Sequence, residues 1–394
     1  YETVSTAISS PTSDTYYDEQ WGLTGTYGID VETAWEIADG SGIRVGIFEG
    51  DIDTGHEDLA GRFGGSNFTP TGEEISHGTH VGGIISAVQN NNEGVAGVSK
   101  ATLYLLNGNS LKFASSLSFA IDNDIKIINA SIGYNLGDSY APANNSHKQA
   151  IKNYGEKGGL LICSAGNKGV NTDEIYHYPS GYGDSRLFPE IDNVISVGAI
   201  NSNGTRCSFS NYGNNSVQIY APGSSIISTY PASKCDDGSH NGPREGTHIA
   251  RGYHAMQGTS MAAPFVTGTA ALILSYNQSL TGAEIKDIIL DNATNITING
   301  SSAKLLNAGN ALTNIVDPNR LGMRNMGWLD GSGWQIQVTN PRDTEIRVVY
   351  NTKMCYGGDA EEWTGLSDIA FFDLPARASR VVSVKGNASA THVA

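Results

Sequence analysis

The chain has 394 residues, 39% of them hydrophobic, and 40 acidic residues against 24 basic ones give a formal net charge of −16. This length predicts one large domain and a smaller one. The negative charge argues against nucleic acid or anionic membranes as partners. No apolar run is long enough to span a bilayer, so we expect a soluble protein.

Residues 1–25 are rich in Ser, Thr and Tyr and are interpreted as an extended N-terminal arm. From Gly42 onward, apolar strand-like runs alternate with helical ones. This alternation predicts an α/β fold in which helices cover both faces of a parallel sheet. Strands are predicted at 43–49, 102–107, 125–133, 159–167 and 193–200, and helices at 80–88, 115–124, 147–158, 260–276 and 281–292.

The pattern changes near Val316, where short β runs separated by turn residues replace the helices. Several of these runs alternate polar and apolar residues with period two, which is typical of antiparallel strands with one buried face. We therefore predict a large α/β main domain over 26–315 and a small antiparallel, sandwich-like β domain over 316–394.

Three separate stretches carry residues suited to one chemistry. His77 lies in "SHGTHVGG", Asn167 ends "SAGN", and Ser260 lies in "GTSMAAPFVTG". Singly, each has an ordinary explanation: a loop histidine, a turn asparagine, and a packing or capping serine. Together they supply the hydroxyl, imidazole and amide donor that acyl transfer needs.

With an acid before them, these motifs follow the order acid, His, Asn, Ser, and over roughly residues 16–314 the chain resembles the subtilisin-like serine proteases (subtilases), the thermitase group in particular. The resemblance implies a doubly wound, mainly parallel sheet and a secreted, monomeric endopeptidase that acts on protein or peptide substrates. It also implies that Ser260 is the nucleophile, His77 the general base and Asn167 the oxyanion donor. By the same resemblance, the substrate-binding residues are Ser131, Ile132, Gly133, Ala165 and Gly166.

The acid that would orient His77 in a Ser-His-acid triad is harder to assign, because "VGIFEGDIDTGHEDL" (45–59) holds five acids. The family has Asp-Thr/Ser-Gly at the end of its first strand and then His-Pro-Asp-Leu, which 56–59 match. Counting back without a gap places Glu49 in the acid's position, at the end of the apolar run. Using Asp53 instead requires a deletion, so Glu49 is the preferred acid and Asp53 the alternative. If they have no role in catalysis, Asp51, Asp53 and Glu57 are interpreted as a solvated acidic loop.

The stretch "AVQNNNEGVAG" (87–97) resembles the thermitase-type loop that wraps a calcium ion. Hard cations prefer carboxylate, amide and backbone oxygens in irregular loops. The alternative is an Asn-rich turn without an ion. By resemblance the ligands are the side chains of Asp58 and Asn91 and the backbone oxygens of Val88, Glu93 and Val95, with Asp18 completing the shell.

Several departures from the family bear on specificity. The segment 103–116 is short and lacks a Gly-Ser-Gly stretch at the cleft, and 234–254 is an insertion interpreted as a surface loop near the cleft. Lys168 follows Asn167 and either favours acidic P1 side chains or is simply solvated. Two further functions stay open: a pseudoprotease weakened at Glu49, and a narrow-specificity processing protease. Cys207 and Cys235 either form a bridge or are free thiols.

Overall fold

The computed structural model describes residues 12–72, 75–135, 145–235, 248–298 and 300–316, and strands at 322–329, 333–339, 346–351, 369–374 and 379–384. The chain divides into two compact units, Tyr1–Leu312 and Thr313–Ala394. The helices are α1 (Trp21–Thr24), α2 (Val31–Trp35), α3 (Ile75–Ser86), α4 (Phe113–Asp122), α5 (Asn145–Glu156), α6 (Ala232–Cys235), α7 (Thr259–Tyr276), α8 (Gly282–Asp291) and α9 (Ala308–Val316).

The strands are numbered in chain order through both units. They are β1 (Arg44–Glu49), β2 (Phe63–Ser66), β3 (Thr102–Asn107), β4 (Ile127–Ala130), β5 (Tyr134–Asn135), β6 (Leu160–Ser164), β7 (His177–Tyr178), β8 (Val194–Ile200), β9 (Ile219–Pro222), β10 (Ile226–Thr229), β11 (His248–Ala250), β12 (Tyr253–Met256), β13 (Thr294–Ile298), β14 (Ser301–Leu305), β15 (Gly322–Leu329), β16 (Gly333–Thr339), β17 (Ile346–Asn351), β18 (Ile369–Leu374) and β19 (Ser379–Val384).

The first unit is built on a nine-stranded sheet with the order β13-β14-β9-β8-β6-β4-β1-β3-β2. All neighbouring pairs are parallel except the edge hairpin β13–β14. The carboxyl ends of parallel strands therefore share one edge, where binding sites of open α/β sheets lie. Glu49 ends β1 at this edge, Ser131 follows β4, and Asn167 follows β6.

Helices pack on both faces because successive strand residues point to opposite sides. On β4, Ile128 joins an apolar cluster with Phe113 of α4 and Ile151 of α5. Its neighbour Asn129 instead accepts a hydrogen bond from Thr267 of α7. The central strands are buried throughout, as in Leu160–Ser164 and Val194–Ile200, so their near-continuous apolar sequences are explained.

The predicted mainly parallel α/β architecture is confirmed. The N-terminal stretch was expected to be extended, but its described part forms a short 3₁₀ helix at Tyr17–Glu19 and the helix α1. In the second unit the described strands pair antiparallel as β15-β16-β19 and β17-β18. A sandwich-like packing of these strands stays a prediction, and β15 was not predicted. No helix in the described part of the chain has the length and apolarity to cross a membrane.

Candidate active site

The centre of the site is a bond between His77 and Glu49. Nδ1 of His77 lies 2.8 Å from Oε2 of Glu49. The Glu49 side chain is 5% exposed, whereas that of His77 is 38% exposed. Burial strengthens the bond because little water competes for it. The carboxylate therefore holds one ring nitrogen while the imidazole stays open to the surface.

Helix α3 places His77 by pressing its first turn against the loop after β1. A β-carbon on Gly78 would overlap the carbonyl oxygen of Asp51, so only glycine allows this approach. Thr79 of the same turn also binds this loop, because its Oγ1 accepts a hydrogen bond from the N–H of Asp53 at 2.8 Å. His77 is the third residue of the helix and so faces the end of β1.

Helix α7 presents Ser260 in its first turn, next to the end of β4. The Ser260 hydroxyl donates to the carbonyl oxygen of Ser131 at 3.3 Å, and the Ser131 hydroxyl donates to the carbonyl of Ser260 at 2.8 Å. Asn129 donates to the Ser131 hydroxyl and accepts from Thr267, one to two turns further along α7. This network fixes the helix start against the sheet edge.

Two N–H donors converge beside Gly258, which precedes α7. Oδ1 of Asn167 accepts the backbone N–H and the hydroxyl of Thr259, which turns its Nδ2 the other way. Nδ2 of Asn167 lies 3.3 Å, and the backbone nitrogen of Ser260 3.6 Å, from where a β-carbon on Gly258 would stand. Gly258 has φ 152°, a conformation that also favours glycine. Because Gly258 has no side chain, there is room here for an oxygen atom that accepts hydrogen bonds from both donors.

Comparison with known proteins identifies the family of this chain. The model of the subtilase family matches residues 40–312. The chain belongs to the subtilase family. It is accordingly a subtilisin-like serine endopeptidase, as the order of its motifs led us to expect.

Individual subtilases align over most of their length. Thermitase from Thermoactinomyces vulgaris is 33% identical over 291 residues, which are 70% of this chain and 90% of thermitase. Subtilisin DY from Bacillus licheniformis is 32% identical over 69% of this chain and 93% of its own. A solved structure described as proteases from Pseudoalteromonas arctica PAMC 21717 has a TM-score of 0.63 at 25% identity, covering 77% of this chain and 99% of that one.

Asp53, the alternative acid, and its neighbour Asp51 have other partners. The Asp53 carboxylate accepts the N–H of Gly55 at 3.0 Å in its own turn, and no bond joins it to His77 among the described residues. Asp51 was interpreted as solvated, but this is wrong: it is 1% exposed. Its Oδ2 accepts the N–H groups of Thr71 and Gly72 at 2.7 and 2.6 Å, anchoring the segment that leads toward α3.

The segments expected to bind substrate flank Ser260 from two sides. Ser131 and Gly133 follow β4, and Gly166 follows β6, with its N–H bonded to Thr259 at 3.0 Å. Ala165 is fully buried in one core cluster, and the partly buried Ile132 packs against another. Their side chains therefore contact the core. The backbone of both segments borders the site.

The expected calcium loop folds around Asp58, which is fully buried. Its carboxylate accepts from Asn91 Nδ2 at 2.8 Å and from the Val95 N–H at 2.9 Å. Burial, with a smaller contribution from the charge of Asp14, raises the pKa of Asp58 to about 7. Within the described residues, no cluster of three or more His, Cys, Asp or Glu side chains is placed to hold a metal ion.

The N-terminal residue beside Asp58 is Asp14 and not Asp18, which is exposed. Oδ2 of Asp14 is buried and has no hydrogen-bond partner in the described chain. Residues 13–16, here termed the N-terminal clamp, bond to the loop at 90–94. The bonds are Ser13 N–H to Asn90 Oδ1 (3.2 Å), Asn91 N–H to Asp14 Oδ1 (3.2 Å), Thr15 hydroxyl to Asn92 O (3.1 Å) and Tyr16 N–H to Gly94 O (2.7 Å).

The described end of the insertion lies beside this loop. His56 contacts the carbonyl of Gly252 at 2.8 Å, and the Tyr253 ring packs on His56 and Tyr16. Residues 236–247 lie outside the described residues, so the expected position of that part near the cleft stays a prediction. Cys207 is a free thiol, which excludes the bridge to Cys235.

Sequence reasoning missed His177, which packs against both substrate-binding segments. A histidine before Tyr-Pro in a loop gives no local signal of such a position. Only the pairing of β7 with β5, which brings His177 opposite Asn135, places it there.

Proposed function

We propose that Glu49, His77 and Ser260 form the catalytic triad, with glutamate in place of the family's aspartate. The observation that carries this proposal is the 2.8 Å bond from His77 Nδ1 to Glu49 Oε2. A carboxylate on Nδ1 leaves Nε2 unprotonated and able to take the Ser260 proton. The glutamate side chain, one methylene longer than that of aspartate, reaches Nδ1 of His77 from the last residue of β1.

In the proposed reaction, Ser260 Oγ attacks the scissile carbonyl while His77 takes its proton. Glu49 stabilises the resulting imidazolium, which then protonates the leaving amine. Asn167 Nδ2 and the Ser260 N–H donate to the oxyanion in the space beside Gly258. Removing one such donor typically costs 10²–10³-fold in turnover. Water then hydrolyses the acyl-enzyme by the same steps in reverse order.

A fluorophosphonate probe followed by intact mass tests these roles. Wild type should gain one label, Ser260→Ala none, and Glu49→Ala should label far more slowly than Asp53→Ala. Slow labelling of Asp53→Ala instead would assign the acid to Asp53. An unlabelled wild type would favour the pseudoprotease, which has the fold without an assembled site.

We also propose that calcium binds between the N-terminal clamp and the loop at 87–97. The two neighbouring buried carboxylates, Asp14 and Asp58, support this, since the partnerless oxygen and the raised pKa are both relieved by a cation. Asn91 and the backbone oxygens of Val88, Glu93 and Val95 would complete the shell. The ion's role would be structural. Calorimetric titration of the chelated protein with Ca²⁺ tests it, with Asp58→Asn expected to show no uptake.

We infer that the enzyme acts outside the cell as a monomer, in keeping with a net charge of −16 that keeps copies apart. Light scattering after gel filtration tests the monomer, and protease activity in culture supernatant tests the location. A casein digest separates broad from processing specificity: many early fragments indicate the former, one or two the latter.

A further inference from the structure

We propose that His177 forms the floor of the P1 pocket and, with Lys168 at its opening, selects substrates with an acidic P1 side chain, glutamate above all. This inference rests on the proposed function, since it needs Ser260 as the nucleophile. It names the substrate class that the pocket takes.

The position of His177 is defined by two glycines. A β-carbon on Gly133 would overlap Nε2 of His177, and one on Gly166 would lie 2.9 Å from the same nitrogen. Gly133 and Gly166 belong to the two segments that flank Ser260. The imidazole therefore lies between these segments, with Nε2 toward the gap between them. Because neither glycine carries a side chain, the ring packs directly against the backbone of both segments.

The opposite edge of the ring is held in place. Nδ1 lies 2.8 Å from Oγ of Ser180, and that hydroxyl donates to the carbonyl of His177 at 3.2 Å. A serine has one proton, so a hydroxyl that donates to the carbonyl accepts from Nδ1–H. His177 is 4% exposed, so the ring does not swing out to solvent. Nε2 is the nitrogen left for a ligand.

The charges around this nitrogen favour an anion. Lys168 directly follows Asn167, is exposed, and has no acidic partner among the described residues. Burial first, and then the Lys168 charge, lower the pKa of His177 to about 4, and no carboxylate of the described residues contributes. A glutamate at P1 would supply the missing negative charge. Its complex takes up one proton from solvent, leaving an imidazolium whose Nδ1–H donates to Ser180 and whose Nε2–H donates to the carboxylate.

Other P1 side chains fit less well. A lysine or arginine would meet Lys168, and no acid of the described residues contributes to the electrostatics of this site. A large aromatic ring would meet the imidazole at the floor without a bond to Nε2. Glutamine has the length of glutamate but not its charge, and hydrogen bonds to a charged group contribute about 1.5–3 kcal/mol. A neutral hydrogen bond contributes about 0.5–1.5 kcal/mol, so the difference of about 1–1.5 kcal/mol corresponds to roughly 5–13-fold in kcat/KM.

The experiment compares kcat/KM for peptides that differ only at P1, as Glu, Gln, Phe or Lys, at about pH 6, near the ordinary pKa of histidine. Glu should exceed Gln by on the order of tenfold, and Lys should be poorest. Lys168→Gln should lower the Glu-to-Gln ratio several-fold. Lys157→Gln, an exposed lysine near the amino end of β6 and so far from Asn167, is the matched control and should not change the ratio.

His177→Leu should abolish the preference for Glu, and His177→Gln, which keeps a hydrogen-bond donor, should restore part of it. Thermal melting checks that these variants fold. A wild type that labels at Ser260 yet prefers Phe or Gln to Glu would overturn this inference and leave the triad standing. A folded His177→Leu or Lys168→Gln with an unchanged ratio would also overturn it. A wild type that neither labels nor cleaves would overturn both proposals.

Discussion

Replacing Glu49 by glutamine is expected to lower kcat/KM on the order of 10⁴-fold, or about 5 kcal/mol in transition-state stabilisation. The structure explains why the amide cannot substitute. Oε1 of Glu49 is buried and has no hydrogen-bond partner in the described chain. An NH₂ placed there would be an unsatisfied donor, which costs about 1–3 kcal/mol. The amide therefore turns its NH₂ toward His77.

This orientation reverses the bond. The glutamine NH₂ donates to Nδ1 of His77, which forces the ring proton onto Nε2. His77 then cannot accept the Ser260 proton, and the glutamine has no charge to stabilise an imidazolium. Glu49→Asp keeps the charge but withdraws the carboxylate by one C–C bond, about 1.5 Å. The 2.8 Å bond would be lost, with a smaller decrease of roughly 10–100-fold.

The assay is kcat/KM on a chromogenic peptide, together with the rate of fluorophosphonate labelling. Asp53→Asn makes the same acid-to-amide change four residues away and keeps an oxygen for Gly55, so it should retain nearly full activity. The reasoning is refuted if Glu49→Gln stays within tenfold of wild type, or if Asp53→Asn loses as much.

Four further predictions follow from the described contacts. Asn167→Ala should lower kcat about 10²–10³-fold with little change in KM, since its Nδ2 would act on the transition state; an equal loss in KM would contradict this. Gly258→Ala should likewise lose most activity while still folding by circular dichroism, because its β-carbon fills the space between the two donors. Gly78→Ala should destabilise the fold by about 3 kcal/mol or more in urea titration, since its β-carbon overlaps the backbone of Asp51. In calcium-free protein, stability should fall as pH rises from about 4 to 7, because the folded state binds the Asp58 proton more tightly, with a pKa of about 7 against an ordinary value of 3.8. The loss is on the order of 4 kcal/mol. Saturating Ca²⁺ or Asp58→Asn should remove that slope in thermal melts, and a slope that persists would point to another group.

The sequence predicted what depends on local patterns. Strand and helix periodicities are short-range, so the sequence predicts apolar strands such as Leu160–Ser164. It also predicts the glycine-rich helix starts near His77 and Ser260. The end of the apolar run also placed Glu49 where its bond to His77 is found. The positions of Asp51 and His177 could not be predicted, because their partners lie on segments that only the folded chain brings near.

The contacts of the N-terminal region could not be predicted from the sequence either. A Ser- and Thr-rich stretch suggests an extended arm, yet its polar groups have acceptors and donors on the loop at 90–94. Asp14 rather than Asp18 turns inward because the 3₁₀ helix starting at Tyr17 points Asp18 to solvent. Which acid faces inward depends on that turn, and composition carries no information about it.

The N-terminal clamp has a consequence for how long the enzyme survives. A protease in solution is surrounded by copies of itself, and each copy is attacked wherever its chain opens transiently. When opening and closing are fast, the rate of such self-digestion follows the population of the open form. The four bonds of the clamp, together with an ion held between Asp14 and Asp58, would lower that population at one terminus of the chain. Calcium would then set the working lifetime of the enzyme while leaving its turnover unchanged.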